Sequence, residues 1–500
     1  MKRSILWLVA LVVGVSFLLG TGGSSATAAS DEEIENSIQN GLAWLAAEQA
    51  PDGSWGDWGW SAEAATGLAV LKFEERAPEL GFDAFDPDYI YHQQVEDGLN
   101  HLFSNSATAG GLVWIAGPSG YYTYNTGIAM MALAASRAPG RVVGPLGSAV
   151  DGWTYEQVLT AMLDWMEDAQ NDGGCEIGGW GYGANNIGWS DQSNTGYATM
   201  GIGFAIAPVF GFGLTVDPNV LDKLGIYIDN IQRPDGGSDY LPINCGAWDA
   251  SNILRTGNLL YEMALVGRPL ADPTVQAAVG YLQDNWVGWD PQAAFTMMKG
   301  LEAYRIDILT VGGMDIDWFD EISTIIVDYQ NPDGSWPEWW GLHLDTAWNL
   351  LTLERVVPPV EGLPGRMTGG GSVLGSRVTH GFTLHCDVAD GPSRLQVNWG
   401  RGNRFYLENL TSAYCSDDPA IEPQPPAAQF DTYRGAGDGR YNGASGATIE
   451  FMFIDTGQPG VDDTAAIVIT DAGGDVVLDI SGNLQRGDHQ AHEEAPPPPE

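Results

Sequence analysis

Apolar positions recur through the first two thirds of this chain at helical spacing. Ser30-Asp-Glu-Glu33 reads as a capping box, and Ile34, Ile38, Leu42 and Leu45 then mark one face up to Gln49. The run from Ser61 to Arg76 is instead small and apolar nearly all round. The alternation returns five times: 95–106 with 124–137, 154–170 with 194–207, 219–232 with 249–266, a helix opened by Asp272-Pro273 with one opened by Asp290-Pro291, and 318–330 with 342–356. A helix with one apolar stripe lies on an outer layer, whereas one apolar all round has to be covered on both sides. The second members therefore form an inner ring, and the six pairs predict an all-α (α/α)6 toroid over residues 30–356.

The pattern changes at Val357-Pro-Pro-Val-Glu-Gly-Leu-Pro-Gly365, which opens a stiff linker over 357–371. Period-two runs follow at 377–386, 394–399, 404–411, 447–454, 464–470 and 476–480, and they predict a small all-β sandwich over 372–487. Residues 488–500 end in a proline run and read as a disordered tail. The block from Met367-Thr-Gly-Gly-Gly371 to His489-Gln-Ala-His492 resembles a C-terminal module of secreted bacterial proteins.

One segment occurs twice almost unchanged, as Gln49-Ala-Pro-Asp-Gly-Ser-Trp55 and Gln330-Asn-Pro-Asp-Gly-Ser-Trp336. Looser copies stand at Gln170-Asn-Asp-Gly-Gly174 and Gln232-Arg-Pro-Asp-Gly-Gly-Ser238, each after an outer helix. Pro-Asp-Gly is turn chemistry. The added Gln and Trp let an amide bond nearby backbone under an aromatic cover. The spacing resembles the QW motif of squalene and hopene cyclases, relatives of the prenyltransferase β chains. That resemblance implies a helical toroid over roughly residues 34–356 and says little about activity, because the motif is structural in those proteins too.

The N-terminus narrows the setting. Met1-Lys-Arg3, an apolar run from Ile5 to Leu19 and Ala26-Thr-Ala28 form a secretory signal pattern over residues 1–29, so export is expected, with no stable membrane span after cleavage. The chain carries 21 basic against 65 acidic residues, a net charge of −44, and only four Lys. Nucleic acid is therefore excluded as a partner on electrostatic grounds. Four Cys in an exported chain point to disulfides. Proximity and domain assignment favour Cys175 with Cys245 and Cys386 with Cys415.

In a toroid the loops before the inner helices crowd around one mouth. Here they are aromatic and acidic, and Trp58, Trp60, Trp180, Trp189, Trp248 and Trp340 are the candidate ligand-binding residues. Such aromatic faces suit an apolar or a saccharide ligand. The cyclase resemblance implies an Asp-x-Asp-Asp acid at an inner-helix start, but Leu342-His-Leu-Asp345-Thr-Ala347 offers one Asp in its place. A prenyltransferase would need a zinc site of Asp, Cys and His and a basic diphosphate pocket, and neither is visible. No metal or cofactor is expected. The sequence favours a secreted binding protein and leaves open an enzyme, either terpenoid-cyclase-like or acting on polysaccharide, with Asp345 as acid, His343 as its partner, and Asp249 and Glu63 as further carboxylates.

Overall fold

A computed structural model of the protein describes residues 28–492, except 57–61, 118–119, 184–188, 247–249, 269, 271, 287–289, 356–364, 374–377, 387–391, 401, 417–420, 422–427, 429, 458–459, 461–462 and 475. Twelve α-helices are described before residue 354. Six form the outer layer: α1 (Asp31–Ala47), α3 (His92–Ser104), α5 (Tyr155–Ala169), α7 (Pro218–Ile231), α9 (Pro273–Asp284) and α11 (Trp318–Asp328). The other six are α2 (Ala62–Glu79), α4 (Tyr122–Ala135), α6 (Gln192–Ile206), α8 (Ile253–Leu265), α10 (Pro291–Ala303) and α12 (Leu342–Leu353). Each of these packs on the next, and α12 packs back on α2, so the inner ring is closed. Burial follows the pattern read from sequence. α4 is buried from Asn125 through Ala135, whereas α1 buries only Ser37, Ile38, Gly41, Leu42 and Leu45.

The four repeated hinges share one construction. The Gln49 amide donates to Gly53 O and Gln94 O, both at 3.0 Å. Gln170 donates to Gly178 O and Val220 O, Gln232 to Gly236 O and Thr274 O, and Gln330 to Gly334 O and Ser37 O, all at 2.8–2.9 Å. Each glutamine thus ties its own turn to a neighbouring outer helix, and Gln330 ties the last repeat to the first. The hinge glycine is required by space as well as by dihedral angle. Gly334 has φ +98°, and a Cβ there would lie 2.3 Å from Asn40 O. The tryptophans are fully buried, and Trp55, Trp180 and Trp336 donate their indole N–H to Leu45 O, Met166 O and Ile326 O at 2.7–2.8 Å.

The helical part is not all-α. Two β-hairpins interrupt it: β1 (Ser106–Ala109) with β2 (Leu112–Ile115), and β3 (Ile308–Val311) with β4 (Met314–Asp317). Each turns on a Gly-Gly pair with both residues at positive φ, Gly110-Gly111 and Gly312-Gly313, as a tight two-residue hairpin needs. Leu309 and Ile115 go into the helical core and give each hairpin a reason to form there.

The expected sandwich is a closed barrel. Its strands are β5 (Arg366–Val373), β6 (Thr379–His385), β7 (Arg394–Trp399), β8 (Asn403–Ser416), β9 (Thr432–Tyr441), β10 (Ala444–Ile454), β11 (Thr464–Thr470) and β12 (Val476–His492). They pair antiparallel in chain order, and β12 returns to pair with β5. Closure rests on segments read otherwise from sequence. β5 falls in the stretch read as linker, β9 is Gly-rich and was not expected as a strand, and β12 runs into the stretch read as tail. The core holds Met367, Phe382, Leu384, Val397, Phe405, Tyr433, Phe451, Phe453 and Ile467. Closure also removes the free strand edges that a sandwich leaves.

Both disulfides form as paired by sequence, Cys175–Cys245 and Cys386–Cys415, each with Cα atoms 5.5 Å apart. They point to an oxidising setting. Among the described residues no helix is long and apolar enough to cross a membrane.

Candidate functional site

The starts of four inner helices, α2, α4, α6 and α8, are each fixed to the loop before them by a threonine. Thr66, Thr126, Thr195 and Thr256 each stand in the first turns, and their Oγ1 atoms accept the backbone N–H of Trp55, Ile115, Trp180 and Ser238 at 2.9–3.1 Å. Each is followed by Gly, so Thr-Gly is a second repeated signal beside the Gln and Trp hinge. It gathers the loops around the helix starts.

A cleft of about 510 Å³ opens there, at the starts of α6, α8 and α10 and the loop before α12. Its walls include Tyr240, Tyr281 and Trp340 as aromatic faces, with Asn252, Arg255, Asp290 and Gln292 among the polar groups. These side chains are held. Asn252 caps α8 through Arg255 N at 2.9 Å, and Asp290 caps α10 through Ala293 N at 2.8 Å. The Arg255 guanidinium donates to Ala250 O at 2.7 Å and lies 5.8 Å from the Tyr240 ring centre. Gln292 donates to the Tyr197 hydroxyl at 3.2 Å.

Two carboxylates meet at this rim through one tryptophan. Asp345 is fully buried in the first turn of α12, whose N-cap is Gly341. Its Oδ2 accepts the backbone N–H of Trp339 at 2.5 Å, Trp340 at 3.0 Å and Gly341 at 3.4 Å. The Trp340 indole donates to Asp290 Oδ2 at 3.1 Å. Burial pushes the Asp345 carboxyl up to about 6, against the lowering effect of the three N–H groups and with a further push from Asp290. Burial also raises Asp290. Asp345 Oδ1 is buried without a hydrogen-bond partner.

Tyrosines continue the rim. The Tyr182 and Tyr240 hydroxyls lie 3.2 Å apart, and the Tyr121 ring packs 5.2 Å from Tyr182. Burial raises Tyr182 and Tyr240, with nearby Asp191 adding to it. Asp191 itself is a saturated N-cap: it takes the N–H of Ser193 and Asn194 at 3.0 Å and the Asn194 amide at 2.8 Å.

The sequence candidates divide. Asp345 and Trp340 come together, with Trp340 lining the cleft and Asp345 buried behind it. His343 does not join Asp345, because two residues of helix turn it to the opposite face; its ring packs 5.4 Å from Trp44 and its Nε2 is 3.9 Å from Glu48. Trp180 is a hinge residue rather than a ligand surface, being fully buried with its indole bonded to Met166 O. Trp189 is half-buried and its indole faces Asp191 Oδ2 at 3.4 Å. Glu63 is buried at the start of α2, where a Cβ on Gly117 would touch it and Asn125. Trp58, Trp60, Trp248 and Asp249 lie outside the described residues. Asp290, Arg255, Tyr281 and Gln292 were not singled out as site residues. Asp290 was visible only as an N-cap; the Thr-Gly repeat would have placed Arg255 beside a helix start.

Cys175, Glu176 and Cys245 bring their ligand atoms within 4.8 Å of one another, but both sulfurs are spent in a disulfide and leave no thiolate for a metal.

No protein-family model and no curated protein sequence matches the chain. Among solved structures it is similar to the type II terpene cyclase MstE from Scytonema. A variant in complex with geranylgeranyl dihydroxybenzoate shares 13% identity over 65% of this chain and 97% of that one, with a TM-score of 0.40. The apo form shares 14% identity over the same shares, with a TM-score of 0.38. A glycosyl hydrolase family 88 protein from Bacteroides vulgatus shares 11% identity over 65% of this chain and 89% of that one, with a TM-score of 0.33. The likeness is distant and one of fold.

Proposed function

We propose that this is an exported binding protein whose toroid mouth takes a saccharide. The cleft of about 510 Å³ carries the proposal: aromatic faces at Tyr240, Tyr281 and Trp340 alternate with Asn252, Arg255, Asp290 and Gln292. Sugar rings offer apolar faces for stacking and hydroxyls around their edges for such polar groups. An apolar chain would take water from those groups and offer no hydrogen bond in return, which favours the saccharide over the apolar ligand. Export rests on the signal pattern of residues 1–29 and fits the two disulfides. A glycan array with the mature protein, followed by calorimetry of any hit against Trp340→Ala and Tyr240→Ala, tests the reading. Binding that both substitutions leave unchanged overturns it.

One observation favours a second reading, hydrolysis of a glycosidic bond. Asp345 is a buried acid that keeps its proton up to about pH 6, has one oxygen without a partner, and is joined through Trp340 to Asp290. Two carboxyl groups at one site are what such chemistry uses. Release of reducing ends from a bound glycan, abolished in Asp345→Asn with binding retained, would establish it. Binding without release leaves the protein a lectin-like binder.

A further inference from the structure

Outside the toroid, the barrel core contains two polar side chains that its packing does not explain. His380 on β6 and His489 on β12 are 6% and 0% exposed. The two strands are not neighbours; β5 lies between them, and its register sets Gly371 beside His380 and Gly369 beside His489. With no side chains on Gly369-Gly370-Gly371, the two imidazoles meet over β5. A Cβ on Gly369 would stand 3.0 Å from His489 Cδ2. Their Nε2 atoms are 2.8 Å apart.

The hydrogen bonds fix which nitrogens carry protons. His489 Nδ1 lies 3.1 Å from Ile454 O, which only accepts, so Nδ1 is the N–H and His489 Nε2 is a lone pair. His380 Nε2 must then donate to it. That leaves His380 Nδ1 as a second lone pair, buried and without a hydrogen-bond partner.

We propose that this pair is a binding site for a soft monovalent d10 cation, Cu(I) or its analogue Ag(I), held in two-coordinate geometry by the Nε2 atoms of His380 and His489. Three features select that class. Among the described residues no third His, Cys, Asp or Glu gathers with the pair, so Zn(II), which takes four ligands, is poorly served. Phe382 and Phe453 stack 4.2 Å apart beside the His380 ring and keep water from the metal. Asp455, Asp463 and Asp488 act electrostatically on His489 and favour a positive charge there.

The step balances without net proton release. The His380 proton moves from Nε2 to Nδ1, both rings stay neutral, and the cation takes the place of the N–H···N bond. The Nε2 atoms then part to roughly 4 Å, twice a metal–imidazole bond of about 2 Å. His489 Nδ1–H remains on Ile454 O and keeps the ring oriented.

The test is an anaerobic titration of the full chain with Cu(I) buffered by bicinchoninate, read beside X-ray absorption of the bound metal. One equivalent with two nitrogen neighbours is expected. His380→Phe and His489→Phe should each lower affinity at least 100-fold, while His492→Gln should not. Because the first two alter a packed core, imidazole 15N spectra of the wild type with Ag(I) give a second reading. Shifts at the His380 and His489 Nε2 signals support the site. No retention against the chelator, sulfur neighbours, or shifts at other histidines alone would overturn it.

Discussion

Replacing Gln330 with Met keeps the side chain's length and removes its two donors. In the folded ring those donors reach Gly334 O and Ser37 O, both at 2.9 Å, and the second bond spans 293 residues to join the last repeat to the first. Each such bond contributes about 1 kcal/mol net. A loss of about 2 kcal/mol is therefore expected for Gln330→Met. Gln49→Met, which cuts the matching bonds to Gly53 O and Gln94 O at an ordinary neighbour junction, should lose a similar amount. Urea unfolding followed by tryptophan emission is the assay. It reports on the toroid, because Trp399 is the one tryptophan of 19 that lies in the barrel. The slope of the transition should stay the same while its midpoint falls. A change under about 0.5 kcal/mol in both variants would refute the view that the glutamine amide, rather than the turn alone, clamps the repeats.

Other expectations concern charge, covalent ties and the hinge glycine. Burial raises the Glu262 carboxyl, which accepts the Gln192 amide, to about 8. Its folded value lies above its unfolded one, so its contribution falls as pH rises from about 4.5 to 8 and is flat beyond. Glu262→Gln should therefore unfold with a smaller loss of stability between pH 5 and 8, by on the order of 3 kcal/mol, and an unchanged pH profile would contradict this. The Cys175–Cys245 bond spans 70 residues, and its loss as the double Ser variant should cost about 4 kcal/mol by loop closure, measured by urea midpoint against the intact protein. Gly334→Ala meets Asn40 O at 2.3 Å and a φ of +98°, and should lose more stability than Gly280→Ala, where nothing lies within 4 Å. Equal losses would count against close approach at the hinge.

The inner and outer helices were legible because their faces differ in kind. α4 reads apolar all round and is buried nearly throughout, while α11 shows a stripe and buries Trp318, Ile322, Ser323 and Ile326. The hairpins were missed although the signal was present: Ala107-Thr-Ala-Gly-Gly-Leu-Val113 and Leu309-Thr-Val-Gly-Gly-Met-Asp315 are two-residue turns between short runs. In the barrel, Gly369 to Gly371 spoke against a strand because Gly has no side chain to pack. Pairing on both sides makes it one all the same. At the site, Asp345 was legible by its place before Thr-Ala, but its bonds to the Trp339, Trp340 and Gly341 N–H groups were not, since a carboxylate reaching back over its own loop leaves no periodic mark. The link from Trp340 to Asp290 crosses 50 residues and joins the fifth repeat to the sixth, which the periodicity of neither repeat shows.

The most direct test of the mouth as a saccharide site is calorimetry of the mature protein with the strongest hit from a glycan array, beside Trp340→Ala. The expected result is saturable one-to-one binding by the wild type, weakened at least 10-fold in the variant, with the urea midpoint of the toroid unchanged. Binding of equal strength in both proteins, or no glycan bound by the wild type at millimolar concentration, would contradict it.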